Sequence, residues 1–221
     1  MKPLEPRPLA VIFDLDGTLA DTFPLIVSAW NAAMRAPMGR DYAPEEVIAR
    51  FGPPEWQMVA NELAGHNLDP HGVLEKFHTH YEAMHDVVAP FDGVDGMLEK
   101  IARSGLPMGV MTGKGRKTLD ITLGRLGWTG VFGSTITGDE TERPKPDPEG
   151  VLKVASELGI PPVACVYVGD SPADMRAGKA AGMPTIAAAW HSHYRDELPA
   201  EAPDYWADTP GDVLLLLKIE N

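Results

Sequence analysis

The sequence has little cysteine, little positive charge and no long apolar run. Its single cysteine, Cys165, excludes a disulfide within the chain, which is typical of proteins from the reducing cytoplasm. Lys and Arg number 19 against 32 Asp and Glu, a net charge of -13 that disfavours nucleic acid and anionic membranes as partners. No stretch is typical of a signal peptide or a membrane span. We therefore expect a cytoplasmic protein that binds neither nucleic acid nor membrane.

The chain does have enough apolar material for a core. Its 221 residues are 44% hydrophobic, which is sufficient for one or two domains. The run Val11-Ile12-Phe13 predicts a buried first strand, and from residue 90 onward predicted strands and helices alternate. The later strands are predicted at 107–112, 131–137, 163–168 and 184–189, and the helices at 93–104, 114–126, 147–158, 172–181 and 211–219. This alternation predicts an α/β fold with a doubly wound parallel sheet.

Residues 20–89 interrupt this alternation, because their apolar residues follow helical spacing and no strand is predicted among them. Helices are predicted at 24–38, 44–51, 53–64 and 69–88. We therefore expect an α/β core domain formed by 1–19 and 90–221, with an inserted helical cap domain at 20–89. The Pro- and Ala-rich stretch 198–204 is predicted to be a surface loop.

Two carboxylates follow the first strand directly. Asp14 and Asp16 are separated by one residue and followed by Gly17 and Thr18. In extended geometry both carboxylates point to the same side, where their charges repel unless a cation or a proton lies between them. A plainer interpretation is an Asp-Gly turn that only closes the strand.

Three more predicted strand ends carry polar groups, and ligands of open parallel sheets bind at these ends. Thr112 and Gly113 precede a helix whose free N–H groups favour an anion. Lys145 lies between two prolines that restrict its backbone, and Asp170 and Asp174 lie at the end of the fourth strand. Taken singly, each of these residues has a plainer interpretation. Thr112 and Asp170 could be helix caps, Asp174 an acid in the first turn of a helix, and Lys145 a solvated lysine.

Taken together, these strand ends place four acids and one lysine side by side. A divalent cation would relieve the repulsion among the carboxylates. Mg²⁺ is the best candidate because a hard octahedral ion prefers carboxylate, carbonyl and water oxygens, whereas no Cys/His cluster offers zinc a site. The seven histidines are interpreted as surface or packing residues.

These motifs resemble those of the haloacid dehalogenase-like hydrolase superfamily, specifically the phosphoglycolate-phosphatase-like members with a helical cap. The matching motifs, in the family's order and spacing, are Asp14-Leu15-Asp16-Gly17-Thr18, Thr112-Gly113, Lys145, and Gly169-Asp170-Ser171-Pro172-Ala173-Asp174. The match covers nearly the whole chain. It implies a Rossmann-like core and a phosphoric monoester hydrolase.

The resemblance also implies a role for each motif residue. Asp14 would be the nucleophile that forms an aspartyl-phosphate, and Asp16 the general acid and base. Thr112 and Lys145 would take part in catalysis and bind the phosphate together with Gly113. Mg²⁺ would be bound by the Asp14 carboxylate, the Asp16 backbone carbonyl and Asp170. Asp174 and Ser171 would support the metal site. The implied substrate is a small phosphorylated metabolite similar to phosphoglycolate.

Several other functions share this fold. A haloacid dehalogenase needs neither metal nor a proton donor, so Asp16 and the acidic fourth motif argue against it. A phosphonatase has Ala in place of Asp16 and a cap lysine that forms a Schiff base, whereas Lys76 is interpreted as solvated. A phosphosugar mutase or a pyrophosphatase is still possible, because these enzymes share the transfer of a phosphoryl group to the nucleophile and differ in the molecules that supply and accept that group. A catalytically silent binding module is disfavoured by the intact set of motif residues.

The sequence decides neither the substrate nor whether the protein is a monomer or a homodimer. The segment 50–56, which contains Gly and Pro, is the best candidate for a cap loop that faces the site. Arg50 in this loop is a candidate for binding a substrate carboxylate or a second phosphate. An equally good interpretation is a cation that caps a helix C-terminus. The segment 190–193 is expected at the same edge, either in the site or as packing.

Overall fold

A six-stranded parallel sheet forms the centre of the protein. The structure, a computed structural model, describes residues 3–219, so residues 1, 2, 220 and 221 of the predicted core segments lie outside the described residues. The strands are β1 Ala10–Phe13, β2 Met108–Met111, β3 Ser134–Ile136, β4 Cys165–Gly169, β5 Thr185–Ala188 and β6 Tyr205–Ala207. They are ordered β3-β2-β1-β4-β5-β6, which confirms the predicted doubly wound α/β fold class.

The strand order reverses between β1 and β4, which are neighbours in the sheet although β2 and β3 lie between them in the chain. Each pairs in parallel with the other, with Phe13 opposite Val168. All residues of β1, β2, β4 and β5 are buried, because helices cover both faces of the sheet. The crevice beyond the carboxyl ends of β1 and β4 is therefore the expected place for a ligand.

Nine α-helices accompany the sheet in the described residues, and no helix there is long and apolar enough to cross a membrane. They are α1 Phe23–Met38, α2 Pro44–Ile48, α3 Glu55–Glu62, α4 Pro70–Ala83, α5 Val94–Arg103, α6 Arg116–Arg125, α7 Glu149–Glu157, α8 Pro172–Ala180 and α9 Pro210–Leu216. Local signals start and stop several of them. Asp69 accepts hydrogen bonds from the amides of His71 and Gly72 to begin α4, and Gly39 ends α1 with a φ of 68°.

Helices α1–α4 follow β1 and precede β2. The chain leaves and rejoins the sheet region through two segments that lie side by side, where Ala20 and Pro90 form an antiparallel bridge. The amide of Phe91 also donates to the carbonyl of Leu19 at 3.1 Å. Helix α1 packs against α4, and α4 packs against α6.

Several element ends differ from the sequence-based expectation, for example α4, which ends at Ala83 where the predicted helix ran to 88. Two whole segments differ as well. Tyr205–Ala207 forms the edge strand β6, which was not predicted because three residues after a Pro- and Ala-rich stretch carry too short a pattern. The predicted surface loop 198–204 contains the short 3-10 helix Leu198–Glu201. Leu198 is buried there, since it packs in a small cluster with Met175 and Ala187.

Candidate active site

A cavity of about 290 Å³ lies between the carboxyl ends of the strands on one side and α1, the segment 51–53 and α3 on the other. The sheet side contributes residues from the loops that follow β1, β2, β3 and β4. Those named in the sequence analysis are Asp14, Asp16, Gly113, Lys145, Asp170 and Ser171. The structure thus brings the motif residues together from positions up to 157 residues apart in the chain.

Lys145 joins two of the predicted acids. Its Nζ lies 2.9 Å from Asp14 Oδ1 and 2.7 Å from Asp174 Oδ1. All three side chains are at most 9% exposed, so the ammonium charge acts on both carboxylates with little solvent screening. The loop before α7 therefore places a positive charge directly between two of the acids, Asp14 and Asp174.

Burial raises the pKa of Asp14 to about 7, and repulsion from Asp174 and Asp16 adds to this effect while Lys145 opposes it. Burial opposes the charged form of Lys145 too, yet Asp14 and Asp174 raise its pKa well above the ordinary value. For Asp174, burial is outweighed by Lys145 and by hydrogen bonds, so its pKa is lowered. Lys145 and Asp174 therefore form a charged pair, and Asp14 is the acid whose negative charge this pair does not fully balance.

Asp170 has one carboxylate oxygen that no protein group satisfies. Its Oδ1 accepts a hydrogen bond from Thr18 Oγ1 at 3.1 Å, but its buried Oδ2 has no hydrogen-bond partner. Burial, with repulsion from Asp174 and Asp14, raises its pKa well above the ordinary value. A buried carboxylate oxygen without a partner is costly unless a cation binds it.

Asp174 has no such free oxygen. Its Oδ1 accepts hydrogen bonds from Lys145 Nζ at 2.7 Å and from Tyr167 Oη at 2.8 Å. Its Oδ2 accepts from the amide and the hydroxyl of Ser171 at 3.0 and 2.6 Å. Oxygens of Asp14, Asp170 and Asp174 lie within 4.8 Å of one another, but these bonds favour Asp174 as a support for the site over a metal ligand.

Gly17 allows the Asp170 carboxylate to approach the first motif. Its φ is +84°, and a Cβ at this position would lie 2.5 Å from Asp170 Oδ2. Because no real Cβ makes such a contact, any side chain here would push the carboxylate away from its place beside Asp14.

We expect Gly17→Ala to weaken the binding of a divalent cation at these acids by about 10- to 100-fold, the usual cost of disturbing the surroundings of a metal site. The matched control is Gly65→Ala, because Gly65 has the same φ of +84° but no atom within 4 Å of its would-be Cβ. Both variants carry the backbone strain, and only the first carries the clash. Equal Mg²⁺ titrations for the two variants would contradict this account.

The second motif follows β2. Thr112 is buried, and its Oγ1 accepts a hydrogen bond from the amide of Lys114 at 3.2 Å. Gly113 lines the cavity beside the cap loop, since a Cβ on it would lie 2.8 Å from the carbonyl oxygen of Gly52. Helix α6 begins at Arg116, two residues later than predicted, so Gly113 and Lys114 belong to the loop that rims the cavity.

Asp16 has two partners that the sequence analysis did not identify. Its Oδ1 accepts a hydrogen bond from Thr22 Oγ1 and lies 3.2 Å from Nζ of Lys114. The Lys114 side chain is 1% exposed and also lies 3.9 Å from Oε1 of Glu55. Asp16 is thus in contact with both the loop after β2 and the start of α1.

Glu55 is the second functional candidate that sequence reasoning missed. It is buried, and its two oxygens accept hydrogen bonds at 2.6 Å from the amide of Gly115 and from the hydroxyl of Thr118. Its position after Gly-Pro-Pro at a helix start is the only signal in the sequence. That signal places it in the predicted cap loop but does not indicate its contact with α6.

Arg50 does not line the cavity. Its Nε lies 2.6 Å from Glu62 Oε2, and its Nη1 donates to the carbonyl of Glu46 near the end of α2. Its guanidinium also lies 5.0 Å from the ring centroid of Tyr42. These contacts match the alternative interpretation, a cation near a helix C-terminus. The neighbouring residues Phe51, Gly52, Pro53 and Glu55 do line the cavity.

The segment 190–193 packs around the first and fourth motifs. Trp190 Nε1 donates to the carbonyl of Thr18 at 3.1 Å, and Ser192 Oγ donates to the carbonyl of Asp170 at 2.6 Å. His191 stacks on Phe91 with ring centroids 4.9 Å apart. His193 meets Phe23 edge-on at 4.6 Å. Of the two interpretations left open, the observed contacts match packing.

The fold and this acidic site define a class of α/β hydrolase that works at the carboxyl edge of a parallel sheet. A model of the haloacid dehalogenase-like hydrolase family matches residues 11–188, so the chain belongs to that family. It is 34% identical to a phosphoglycolate phosphatase of Xylella fastidiosa over 91% of this chain and 95% of that protein. It is 31% identical to pyrophosphatase PpaX of Bacillus velezensis over 97% of this chain and 98% of that protein.

Solved structures agree on the fold. A predicted phosphoglycolate phosphatase of Haemophilus somnus superposes with a TM-score of 0.84 at 22% identity, over 96% of this chain and 99% of that one. CbbY of Rhodobacter sphaeroides in complex with phosphate gives 0.83 at 22% identity, with the same coverage. The predictions of the family and of the enzyme class, a phosphoric monoester hydrolase, are confirmed.

Proposed function

We propose that this protein is a Mg²⁺-dependent phosphatase that hydrolyses a small phosphomonoester through an aspartyl-phosphate on Asp14. The observation that carries the proposal is the pairing of Asp14 with Lys145 at 2.9 Å beside the partnerless oxygen of Asp170. A nucleophilic carboxylate, a fixed cation and an acidic site for a metal meet at one end of one cavity. This is the set of groups that phosphoryl transfer through a carboxylate requires.

The residues fit a divalent metal. Asp14 and Asp170 would hold Mg²⁺ with their carboxylates and Asp16 with its backbone carbonyl, while Asp174 and Ser171 would support the site. The unsatisfied Oδ2 of Asp170 is the feature that favours this assignment. When bound, Mg²⁺ would neutralise charge on the phosphoryl group and on the acids around it.

In the proposed first step, an oxygen of Asp14 attacks the phosphorus of the ester. Lys145 would offset the charge of the phosphoryl oxygens, and Thr112 and the amide of Gly113 would position them. The bond between phosphorus and the alkoxide oxygen breaks, and Asp16 donates a proton to that oxygen. The products of this step are an alcohol and the phosphorylated Asp14.

In the second step, the ionised Asp16 removes a proton from water, and the resulting oxygen attacks the phosphorus on Asp14. The bond to the Asp14 oxygen breaks, which releases phosphate and restores the carboxylate. Asp16 ends the cycle protonated, as the next first step requires. Its contacts with Lys114 and Thr22 support a fixed position for the carboxyl at the cavity.

We further propose that residues 20–89 act as a cap domain on a core formed by 1–19 and 90–221. The paired crossings at Ala20 and Pro90 support two short connections between these parts. The hydrogen bonds of Glu55 to Gly115 and Thr118 support direct docking of the cap onto the loop after β2. The Phe51–Pro53 segment then closes the cavity from above.

Metal removal tests the function. We expect hydrolysis of p-nitrophenyl phosphate to require Mg²⁺, to stop in excess EDTA and to return when Mg²⁺ is restored, because the acidic floor repels a dianion without a cation. In Asp170→Asn, the Mg²⁺ concentration that gives half-maximal hydrolysis should rise at least about tenfold. Undiminished turnover in EDTA would remove the metal from the mechanism.

A second candidate function is supported by one comparison, the relative named pyrophosphatase PpaX. Pyrophosphate would use the same Asp14 chemistry with orthophosphate as the leaving group. A screen with Mg²⁺ that includes pyrophosphate, phosphoglycolate, sugar phosphates and nucleotides separates these candidates. Formation of a phosphorylated isomer in place of free phosphate would indicate a mutase.

We also propose a cytoplasmic location. Cys165 is buried and unpaired, and burial raises the pKa of its thiol to about 11. Such a thiol is unreactive and serves packing, which agrees with a protein that does not rely on disulfides.

A further inference from the structure

We infer that Lys114 is a specificity-determining residue whose ammonium binds a carboxylate on the leaving group of the substrate. This inference rests on the proposed phosphatase function and concerns the part of the cavity beyond the leaving oxygen. It depends on the unused hydrogen-bond donors of Lys114, on its position beside Asp16 and on the surroundings of the other cations that line the cavity.

The Lys114 ammonium is buried and lacks hydrogen-bond acceptors. Its side chain is 1% exposed, the residue lines the cavity, and its Nζ has no hydrogen-bond partner among the described residues. A lysine Nζ carries three N–H donors and is charged at neutral pH. A buried ammonium without acceptors is costly. An anionic ligand oxygen in the cavity would remove this cost.

The protein groups around Lys114 attract its charge without accepting its hydrogens. Asp16 Oδ1 lies 3.2 Å from Nζ, but this oxygen accepts a hydrogen bond from Thr22 Oγ1. Glu55 Oε1 lies 3.9 Å from Nζ, beyond hydrogen-bond distance, and both Glu55 oxygens accept other hydrogen bonds at 2.6 Å. The Tyr81 ring centroid lies 4.9 Å from Nζ, close enough for a cation–π contact. These contacts hold the ammonium in place and leave its donors for a ligand.

The position of Lys114 matches the leaving group rather than the phosphoryl group. Lys145 lies against Asp14, which would bond to phosphorus, whereas Lys114 lies against Asp16, which would protonate the leaving oxygen. A group bound by Lys114 therefore belongs to the leaving group, and a short spacer is enough to join it to the leaving oxygen. A carboxylate attached to the ester carbon meets this condition.

The wall that residues 20–89 contribute to the cavity is mainly apolar. Its apolar lining residues are Phe23, Ile26, Phe51, Pro53 and Met58, and Phe51 stacks on Phe23 with ring centroids 5.3 Å apart. Solvent weakens an ion pair less in such surroundings, so the contact between Lys114 and a carboxylate gains strength there. A single ammonium balances a carboxylate, whereas it would leave a second phosphate dianion half compensated.

Two other cations line the cavity within the described chain, Lys145 and Arg176. Lys145 donates a hydrogen bond to Asp174 at 2.7 Å and lies against Asp14. The Arg176 side chain is 51% exposed, and its Nη1 lies 2.6 Å from Glu201 Oε1, so solvent and this acid already compensate its charge. Lys114 is therefore the lining cation whose donors are both buried and unused.

The direct test measures binding and requires no turnover. In 3-phosphonopropanoate a carbon replaces the ester oxygen of phosphoglycolate, so the molecule keeps the length of that ester and is not hydrolysed. Its amide, 3-phosphonopropanamide, has nearly the same size and a neutral group in place of the carboxylate. By calorimetry with saturating Mg²⁺, we expect the wild-type enzyme to bind the acid about 10- to 100-fold more tightly than the amide, the range expected for a hydrogen bond between charged groups.

Neutral variants of Lys114 test whether this residue sets the preference. Lys114→Met keeps an unbranched chain of similar length without the charge, and it should bring the two dissociation constants within about threefold of each other. Because this change also removes the cation beside Asp16, the ratio of acid to amide is compared, in which effects common to both ligands cancel. Lys114→Gln is also neutral but can still donate to Asp16, so it serves if the first variant does not fold. Thermal unfolding checks each protein.

Two control variants remove a cation elsewhere. Arg176→Met removes the half-exposed guanidinium from the cavity lining. Lys117→Met removes a lysine of α6 that lies 3.2 Å from Glu75, is 50% exposed and is not part of the lining. We expect both variants to keep the wild-type ratio of acid to amide binding.

The outcomes separate this inference from the proposed function. Equal affinity of the wild type for the acid and the amide would overturn the inference. A wild-type preference in a folded Lys114 variant would also overturn it, as would loss of the preference in Arg176→Met, which would place the carboxylate at α8. These outcomes leave the phosphatase intact. Failure of the wild type to hydrolyse p-nitrophenyl phosphate with Mg²⁺ would instead overturn the proposed function.

Discussion

Asp14→Asn is expected to lower kcat by roughly 10⁴-fold or more, the scale seen when a covalent nucleophile is removed. An amide does not attack phosphorus, and the change preserves the size of the side chain beside Lys145. The measurement is Mg²⁺-dependent turnover of p-nitrophenyl phosphate, together with trapping of the phosphorylated enzyme in the wild type. A residual rate within tenfold of the wild type would mean that water attacks directly and that Asp14 only binds metal.

The same variant has an expected effect on stability, whose sign follows from the pKa of Asp14. In the metal-free protein this pKa is raised from 3.8 to about 7, so the folded state holds the proton more tightly than the unfolded chain. The free energy of unfolding of the wild type in EDTA should therefore decrease as pH rises from about 4 to about 7. Asp14→Asn should show a smaller decrease, because its amide mimics the neutral acid. Loss of folding at all pH values would contradict this.

Asp16→Asn is expected to affect the two half-reactions without removing the metal. Its carboxyl is held by Thr22 and lies 3.2 Å from Lys114, and an amide oxygen can still accept from both. It can neither donate a proton to the leaving oxygen nor take one from water. Each of these roles is commonly worth about 10²- to 10⁴-fold.

The choice of substrate separates Asp16 from Asp14. An alkyl phosphate needs protonation of its leaving oxygen, whereas an activated aryl phosphate needs little. In single-turnover experiments the first step should therefore slow much more for the alkyl phosphate, and phosphorylated Asp14 should accumulate from the aryl phosphate. Asp14→Asn is the control, since it should abolish both. Equal losses of the first step for both substrates would mean that Asp16 is not the acid.

The strand ends that carry the motifs were predictable, and the reason is local. Asp14, Thr112 and Asp170 each follow a fully buried apolar run, and a change from apolar to polar residues marks the end of such a run in the sequence. The motif order then indicates which ends meet. The hydrogen-bond partners of the motif residues were less predictable. Tyr167 and Ser171, for example, donate hydrogen bonds to Asp174, and the spacing of these residues in the sequence does not show where their side chains point.

The segment 20–89, which we propose to be a cap, shows the opposite case. Its helices were predicted from their periodicity, but the direction of each side chain in the loop after α2 was not. Arg50, the candidate named from its charge, turns to Glu62, because Glu62 of α3 and the ring of Tyr42 lie beside it. Glu55, five residues later, reaches Gly115 and Thr118 instead. Contacts between residues about 60 positions apart depend on how helices α1–α4 pack against the loop after β2 and against α6.

By itself the sequence determined the fold class, the family and the positions of the motif residues, because short-range patterns of apolar and polar residues specify strand ends and their order. The tertiary structure alone decided that Lys114 is buried against Asp16 and Glu55, that Tyr205–Ala207 completes the sheet as an edge strand, and that an apolar wall closes the cavity. These features arise from packing between distant segments, in which burial removes the solvent that would otherwise screen each charge.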